Sequence, residues 1–479
     1  MTDGVIGRRW RSAAAVSLAL TVGACTTFDA VKESLIGAPA DADQTAVTGF
    51  LGGVVADEPA AALAGRKVLS QGGTAADAAV AIGFALAVTL PSRAGLGGGG
   101  ACLAYNPSRD GPGLGSPEAI VFTPVAPKLA VGRADRPASV PMTARGLFAL
   151  HARYGKLPFE TLVTPAEQLA RFGTPVSRAF LRDFNLVSAP LLADPNARAV
   201  FAPGGAAPAE GSTLVQADLG GTLAQLRVAG VGDLYRGALA SRFVEDADIA
   251  GGGLALSDLR NALPRTVAPL VLPAGRDSVA FLPPPADGGL AAAASFLALQ
   301  ANPSDLDGAR ARGLATAAAW RRGVADATAL LASAPAGAAL PALPASTTYA
   351  AVDRSGNAVV CAVTMDNLFG TGRVAPGTGV LLAASPGATT MPLLAAALAW
   401  NPKARGFRAA VGGSGQDGAA VAVAAGVANA LRTGSPMSEQ APEPGRANAI
   451  ACARPLPGAE ETCGWATDAR GNGLALGSN

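Results

Sequence analysis

The chain has 479 residues, 50% of them hydrophobic, and its 37 Lys and Arg against 35 Asp and Glu leave a formal net charge of +2. That length and apolar content suffice for one large buried core or two smaller ones. With no long run of either sign there is no electrostatic footprint for a nucleic acid, and the apolar stretches are broken by Gly, Pro or charge too often to span a bilayer.

Arg8, Arg9 and Arg11 precede an apolar stretch over 12–22 that ends in Gly23, Ala24 and Cys25. This is the pattern of an export signal, and VGAC has the form of a bacterial lipobox, whose Cys is lipidated and becomes the new N-terminus. The reading gives a signal over 1–25, a tether over 26–54 and a protein in the periplasm or cell envelope, held to a membrane through Cys25. The alternative is an ordinary secretory signal cut nearby.

The segment 60–89 reads helical, with a Gly73-Thr74 entry and a stop at Pro91. Gly95, Gly97 and Gly100 satisfy GxGxxG, but a helix precedes them and strand-like ACLAY follows, the reverse of the dinucleotide-binding order. No Lys-Ser or Lys-Thr closes the run as a phosphate loop. Residues 143–223 are mainly helical, broken at Gly155 and Pro158. A second helical region runs past Tyr235, and FLPPPADGG leads into an Ala-rich helix. The stretch 333–346, rich in Ala and Pro, reads as an exposed linker. Beyond it TTYAAVDRSGNAVVCAVT alternates as a hairpin turning at 353–357. A glycine turn, GGSGQDG, then an Ala-Val helix to Leu431 and strand-like pieces complete the chain. Helices packed on sheets, an α+β class, is the expected outcome.

Cys102 and Cys361 sit in apolar, strand-like surroundings and read as buried packing residues. Cys452 and Cys463 flank a PLPG turn, and in an oxidising compartment they read as a disulfide, with two independent thiols as the alternative. The single histidine, His151, lies in the helical scaffold. That disfavours Ser-His-Asp and Cys-His devices and any His-based metal cluster, and no cofactor is expected. Hydrolytic chemistry then needs another base. The α-amine of a newly exposed Thr or Ser, with a pKa of roughly 7.7 to 8.0, meets the need. A Thr pair opening a strand directly after an Ala/Pro linker is where such a residue would sit.

Four blocks occur in order: GGTAADAAVAIGFALAVTLPSRAGLGGGG, HARYGKLPFETLVTPAEQLARFGTPVS, PPPADGG, and TTYAAVDRSGNAV with FGTGRVAPGTGVLL. Together they resemble the γ-glutamyltranspeptidase family over 55–382, and more loosely to the end. The resemblance implies a four-layer αββα sandwich of the N-terminal-nucleophile type, made as one precursor that cuts itself into a large part, 55–346, and a small part, 347–479, which stay together. It implies Thr347 as nucleophile, attacking a γ-glutamyl amide such as glutathione and passing the acyl group to water or an acceptor amine. Thr364 aligns with the Thr that orients the nucleophile, Gly415 and Gln416 with an oxyanion hole, and Thr389 and Thr390 with the pair that holds the substrate carboxylate. Between the Thr pair and Asp353 the chain is one residue shorter than the family. Counting back without a gap makes Ser346 the nucleophile, and Thr348 is a third candidate.

The chain departs from the family at both substrate clamps. FTPVAP puts Thr123 where the family has the Arg that grips the carboxylate, and GVLLAASPGATTMP has no acidic residue for the ammonium. A hydroxyl does not supply the charge of a bidentate Arg. Asp366 is the expected substitute for the ammonium, and Arg93 and Arg373 are candidates for the carboxylate. Two rivals emerge: an amidohydrolase for another acyl group, and an envelope-anchored homologue without catalysis.

Overall fold

The computed structural model describes Met1 and residues 49–477, apart from 109–114, 129–133, 325, 336–339, 341–344 and 437–440. Cys25, the signal beyond Met1 and most of the tether and linker lie outside the described residues. The elements below all belong to the unit Thr48–Asn479.

Strand β1 (Gly52–Ala56) is followed by the helices Pro59–Ser70 and Ala75–Thr89, then by β2 (Gly99–Tyr105) and β3 (Glu118–Phe122). A mainly helical region comes next, interrupted by the short pair β4 (Thr174–Pro175) and β5 (Thr213–Leu214), and ends at β6 (Arg265–Val267), β7 (Leu270–Ala274) and β8 (Asp277–Phe281). After the helices Asp287–Ala301 and Leu306–Arg321 come the expected hairpin, β9 (Ser346–Asp353) and β10 (Ala358–Thr364), then β11 (Ala395–Asn401) and β12 (Gly406–Ser414). The helix Ala419–Thr433 and β13 (Arg446–Leu456), β14 (Cys463–Thr467) and β15 (Leu474–Gly477) complete the fold.

One sheet has the order β15-β1-β9-β10-β2-β3-β6 and the other β14-β13-β12-β11-β8-β7. Strand alternation divides the side chains between cores. From the hairpin, Tyr349, Ala351, Val359, Cys361 and Val363 enter the core beneath the first helical layer, whereas Ala350, Val352, Ala358, Val360 and Ala362 enter the core between the sheets. The second sheet does the same: Ala396, Leu398 and Ala410 face inward, and Ala397, Ala399 and Val411 face the helices Asp287–Ala301 and Ala419–Thr433. The result is an αββα sandwich. Close approach of its layers depends on small residues: a Cβ at Gly412 would lie 2.6 Å from the Cβ of Thr348 on the opposite sheet.

The helix Ala75–Thr89, buried along its whole length, starts with a capping box between Thr74 and Asp77. Its first N–H, that of Ala75, also donates to Asp353 Oδ2 at 2.9 Å, so the hairpin turn supplies a carboxylate to a helix N-terminus. Asp353 closes its own turn through the N–H groups of Ser355 and Asn357.

The cysteines require one correction. Cys102 and Cys361 are not simply packed but joined in a disulfide between directly opposed positions of β2 and β10. Cys452 and Cys463 are likewise bridged, between β13 and β14. Among the described residues no helix is long and apolar enough to cross a membrane.

Candidate active site

The site is built where β1, β9 and β10 of one sheet end against β12 and β13 of the other. In the β9–β10 ladder Ser346 is opposite Thr364, and Thr347 is opposite Val363. Directly opposed residues share a face. Ser346 therefore shares the face of Thr364 and the inter-sheet core, whereas Thr347 shares the face of Val363. Thr347 is fully buried, and its hydroxyl donates to Asp57 Oδ2 at 2.7 Å. Thr348 returns to the inter-sheet face, where its side chain fills the space that a Cβ on Gly412 would need. The Thr364 hydroxyl donates to the carbonyl oxygen of Ala345 at 2.9 Å and accepts from the Asp366 N–H at 2.9 Å. Thr364 thus touches the peptide group that enters Ser346, not Thr347.

A cavity of about 220 Å³ opens here, and its wall includes Ala345, Asp57, Arg93, Gly415, Gln416 and Arg446. Gly415 and Gln416 both have positive φ, 97° and 53°. Gly415 has no room for a side chain, because a Cβ would lie 1.9 Å from the Pro444 carbonyl oxygen. The turn carrying the two candidate oxyanion residues and Ala345 therefore line one cavity.

The remaining candidates divide. Arg93 lines the cavity but is already engaged: its Nε and Nη2 each reach Asp183 at 2.6 Å, and Ser92 adds a hydroxyl at 2.7 Å. Burial works against the charge of Arg93, yet Asp183, with Asp57 beyond it, holds its pKa above the ordinary value. Arg373 does not line the cavity and pairs with Asp135 at 3.1 Å. Thr123 is buried after β3. Asp366 is fully buried at the end of β10 with φ 59°, and neither carboxyl oxygen has a hydrogen-bond partner. Burial alone pushes its pKa up to about 8. The Thr389 hydroxyl lies 3.5 Å from the Asp366 carbonyl oxygen, and Thr389 and Thr390 are half-buried off the cavity wall.

Two participants escape sequence reasoning, Asp57 and Asn448. The Asn448 amide donates to Asp57 Oδ1 at 2.8 Å and to the Thr348 carbonyl at 3.0 Å, across a sequence separation of 391 residues in the first case. No local motif signals either residue.

Residues 61–332 match the family described as gamma-glutamyltranspeptidase. The glutathione hydrolase proenzyme of Escherichia coli is 30% identical over 387 residues, which cover 69% of this chain and 65% of that protein. Glutathione hydrolase 2 of Arabidopsis thaliana is 30% identical over 51% of this chain and 43% of its own length. The chain thus spans under two thirds of the length of these relatives. Among solved structures, cephalosporin acylase from Bacillus halodurans superposes with a TM-score of 0.74 at 20% identity, over 92% of this chain and 98% of that one, a likeness of fold. Fold, ordered sequence blocks and these matches agree: the chain belongs to the gamma-glutamyltranspeptidase family.

Proposed function

We propose that the protein is an N-terminal-nucleophile amide hydrolase and acyltransferase that cuts itself between Ala345 and Ser346 and then works through Ser346. The observation that carries this reading is the hydrogen bond from Thr364 to the Ala345 carbonyl, made by the residue directly opposite Ser346. In the cut, the Ser346 hydroxyl oxygen attacks the Ala345 carbonyl carbon, which the Thr364 hydroxyl polarises. The peptide nitrogen takes up the hydroxyl proton and leaves as the amine of Ser346, and water hydrolyses the resulting ester, freeing the Ala345 carboxylate and restoring the Ser346 hydroxyl. Thr347, the first expectation, stands opposite Val363 and spends its hydroxyl on Asp57, which favours Ser346 over it.

In turnover, the freed α-amine accepts the Ser346 hydroxyl proton and the oxygen attacks the substrate amide carbon. Gly415 and Gln416 receive the developing oxyanion on their N–H groups. The leaving amine takes the proton, and water or an acceptor amine resolves the acyl ester. The family and its named relatives support a γ-glutamyl amide such as glutathione as substrate; Asp366, expected to meet its ammonium, is fully buried, and Asp366, Thr389 and Thr390 all lie off the cavity wall, so no substrate contact is assigned to them. A second reading, a different acyl group, is favoured by the uncharged Thr123 and by an Arg93 that Asp183 already occupies.

Intact mass analysis and turnover of a chromogenic γ-glutamyl amide test the proposal together. Fragments meeting at Ala345–Ser346 with turnover support it. Cutting with turnover only of other acyl amides selects the second reading. A whole chain that turns over no amide overturns both and leaves a homologue without catalysis. Export and lipidation at Cys25 belong to the same proposal, supported by the VGAC stretch. The mass of the mature N-terminus checks them.

A further inference from the structure

Asp57 stands where β1 ends and the chain turns into the helix Pro59–Ser70. Half-buried on the cavity wall, it has both carboxylate oxygens occupied. Oδ2 accepts from the Thr347 hydroxyl at 2.7 Å and the Thr348 N–H at 3.4 Å, and Oδ1 accepts from the Asn448 amide at 2.8 Å. One side chain therefore ties the two residues after Ser346 to β1 on their own sheet and to β13 on the other. In the intact chain this is one tie among several. Once the bond before Ser346 is cut, the Thr364 contact to the Ala345 carbonyl no longer restrains the start of β9, and a strand that begins at a free terminus frays unless it is held.

We propose that Asp57 is the positioning residue for the amine freed at Ser346, anchoring the first residues of β9 and setting the electrostatic field at that amine; this rests on the reading of Ser346 given above. The anchor grips the hydroxyl of Thr347, whose Cα is about 3.8 Å from that of Ser346, so the charge of Asp57 sits one residue from the new terminus, within roughly 10 Å. A carboxylate at that range favours the ammonium form and moves formation of the neutral base to higher pH. The other charges facing the cavity are Arg93 with its partner Asp183, and Arg182 and Arg446. The arginines oppose Asp57, whereas Asp366, at the end of β10, reinforces it when ionised. Removing the charge of Asp57 while keeping its shape should lower the titration midpoint of the amine by about half to one pH unit.

The test reads the amine directly, so it needs no knowledge of the substrate. Competitive acetylation of the Ser346 α-amine with acetic anhydride is followed by mass spectrometry across pH 6 to about 9, a range that brackets the ordinary α-amine value, in wild type, Asp57→Asn and Thr347→Val. The expected result is a lower midpoint in Asp57→Asn and an unchanged one in Thr347→Val, which loses the hydroxyl but not the charge. An Asp57→Asn protein that is cut with an unshifted midpoint overturns the proposal and leaves the Ser346 reading intact. A wild type never cut at Ser346 overturns both. If Asp57→Asn folds by circular dichroism but stays whole, Asp57→Glu decides: restored cutting supports the positioning role, and a chain that stays whole overturns it.

Discussion

The Thr364 hydroxyl donates to the carbonyl oxygen of Ala345 across 2.9 Å, from the strand position directly opposite Ser346. The consequence is a prediction about register. Ser346→Ala should abolish self-cleavage and lower turnover at least about 1,000-fold, since removing a nucleophile leaves only the binding and oxyanion contributions. Thr347→Ala should still be cut. Intact masses of the two variants beside wild type decide the matter: a whole Thr347→Ala chain with a cut Ser346→Ala chain returns the nucleophile to Thr347.

Arg93 and Asp183 predict a stability effect in place of a substrate effect. Asp183 is 1% exposed, and its partners are both donors of the Arg93 fork and the Ser92 hydroxyl. Arg93→Ala strands that carboxylate in the interior, which costs about 3–5 kcal/mol. Denaturant titration should show the loss. A variant of wild-type stability but with a raised KM for anionic substrates would show instead that Arg93 serves the ligand.

Asp366 predicts a pH dependence of the opposite sign to that of a salt-bridged acid. Its pKa in the folded chain is pushed up to about 8 from the ordinary 3.8. The folded state therefore binds more protons than the unfolded one between those values, and stability falls as pH rises through the window. Asp366→Asn removes the ionisation, so its gain in Tm should be larger at pH 8 than at pH 5, as differential scanning calorimetry would measure. An equal gain at both values would mean that the group carries no such penalty.

The bridge between Cys102 and Cys361 predicts how the cut protein behaves on a gel. The first cysteine precedes the proposed cut and the second follows it, so the disulfide joins the two fragments. Wild type should run as one species without reductant and as two with it, and Cys361→Ser should separate in both lanes. The variant should also lose about 2–5 kcal/mol of stability. Two wild-type species in the unreduced lane would show that the bridge does not form.

Alternating and helical periodicities, with Gly, Pro and capping residues as punctuation, are sufficient to outline the hairpin over 347–364, the helical segment 60–89, which the fold splits into Pro59–Ser70 and Ala75–Thr89, and helices packed on sheets; the αββα order of layers comes from the family resemblance. These signals are local, and each is repeated along several turns or strand positions. The small strands at the sheet margins are not legible in that way, nor is β11. Its AAALAW run reads equally well as helix, and it is extended because β8 and β12 flank it on both sides.

The site divides along the same line. Thr364, Gly415 and Gln416 stand out as candidates only through the family resemblance of the blocks around them. The faces of Ser346 and Thr347 cannot be read from the chain, because a shift of one residue along a strand reverses the face, and only the register with β10, which sets Ser346 opposite Thr364, tells the two apart. The pairing of Cys102 with Cys361, the occupation of Arg93 by Asp183 and the anchoring of β9 by Asp57 and Asn448 are contacts between residues 90 to 391 positions apart. The local chain specified which surfaces had to be buried. The packing of two sheets against each other decided which polar groups met when they were.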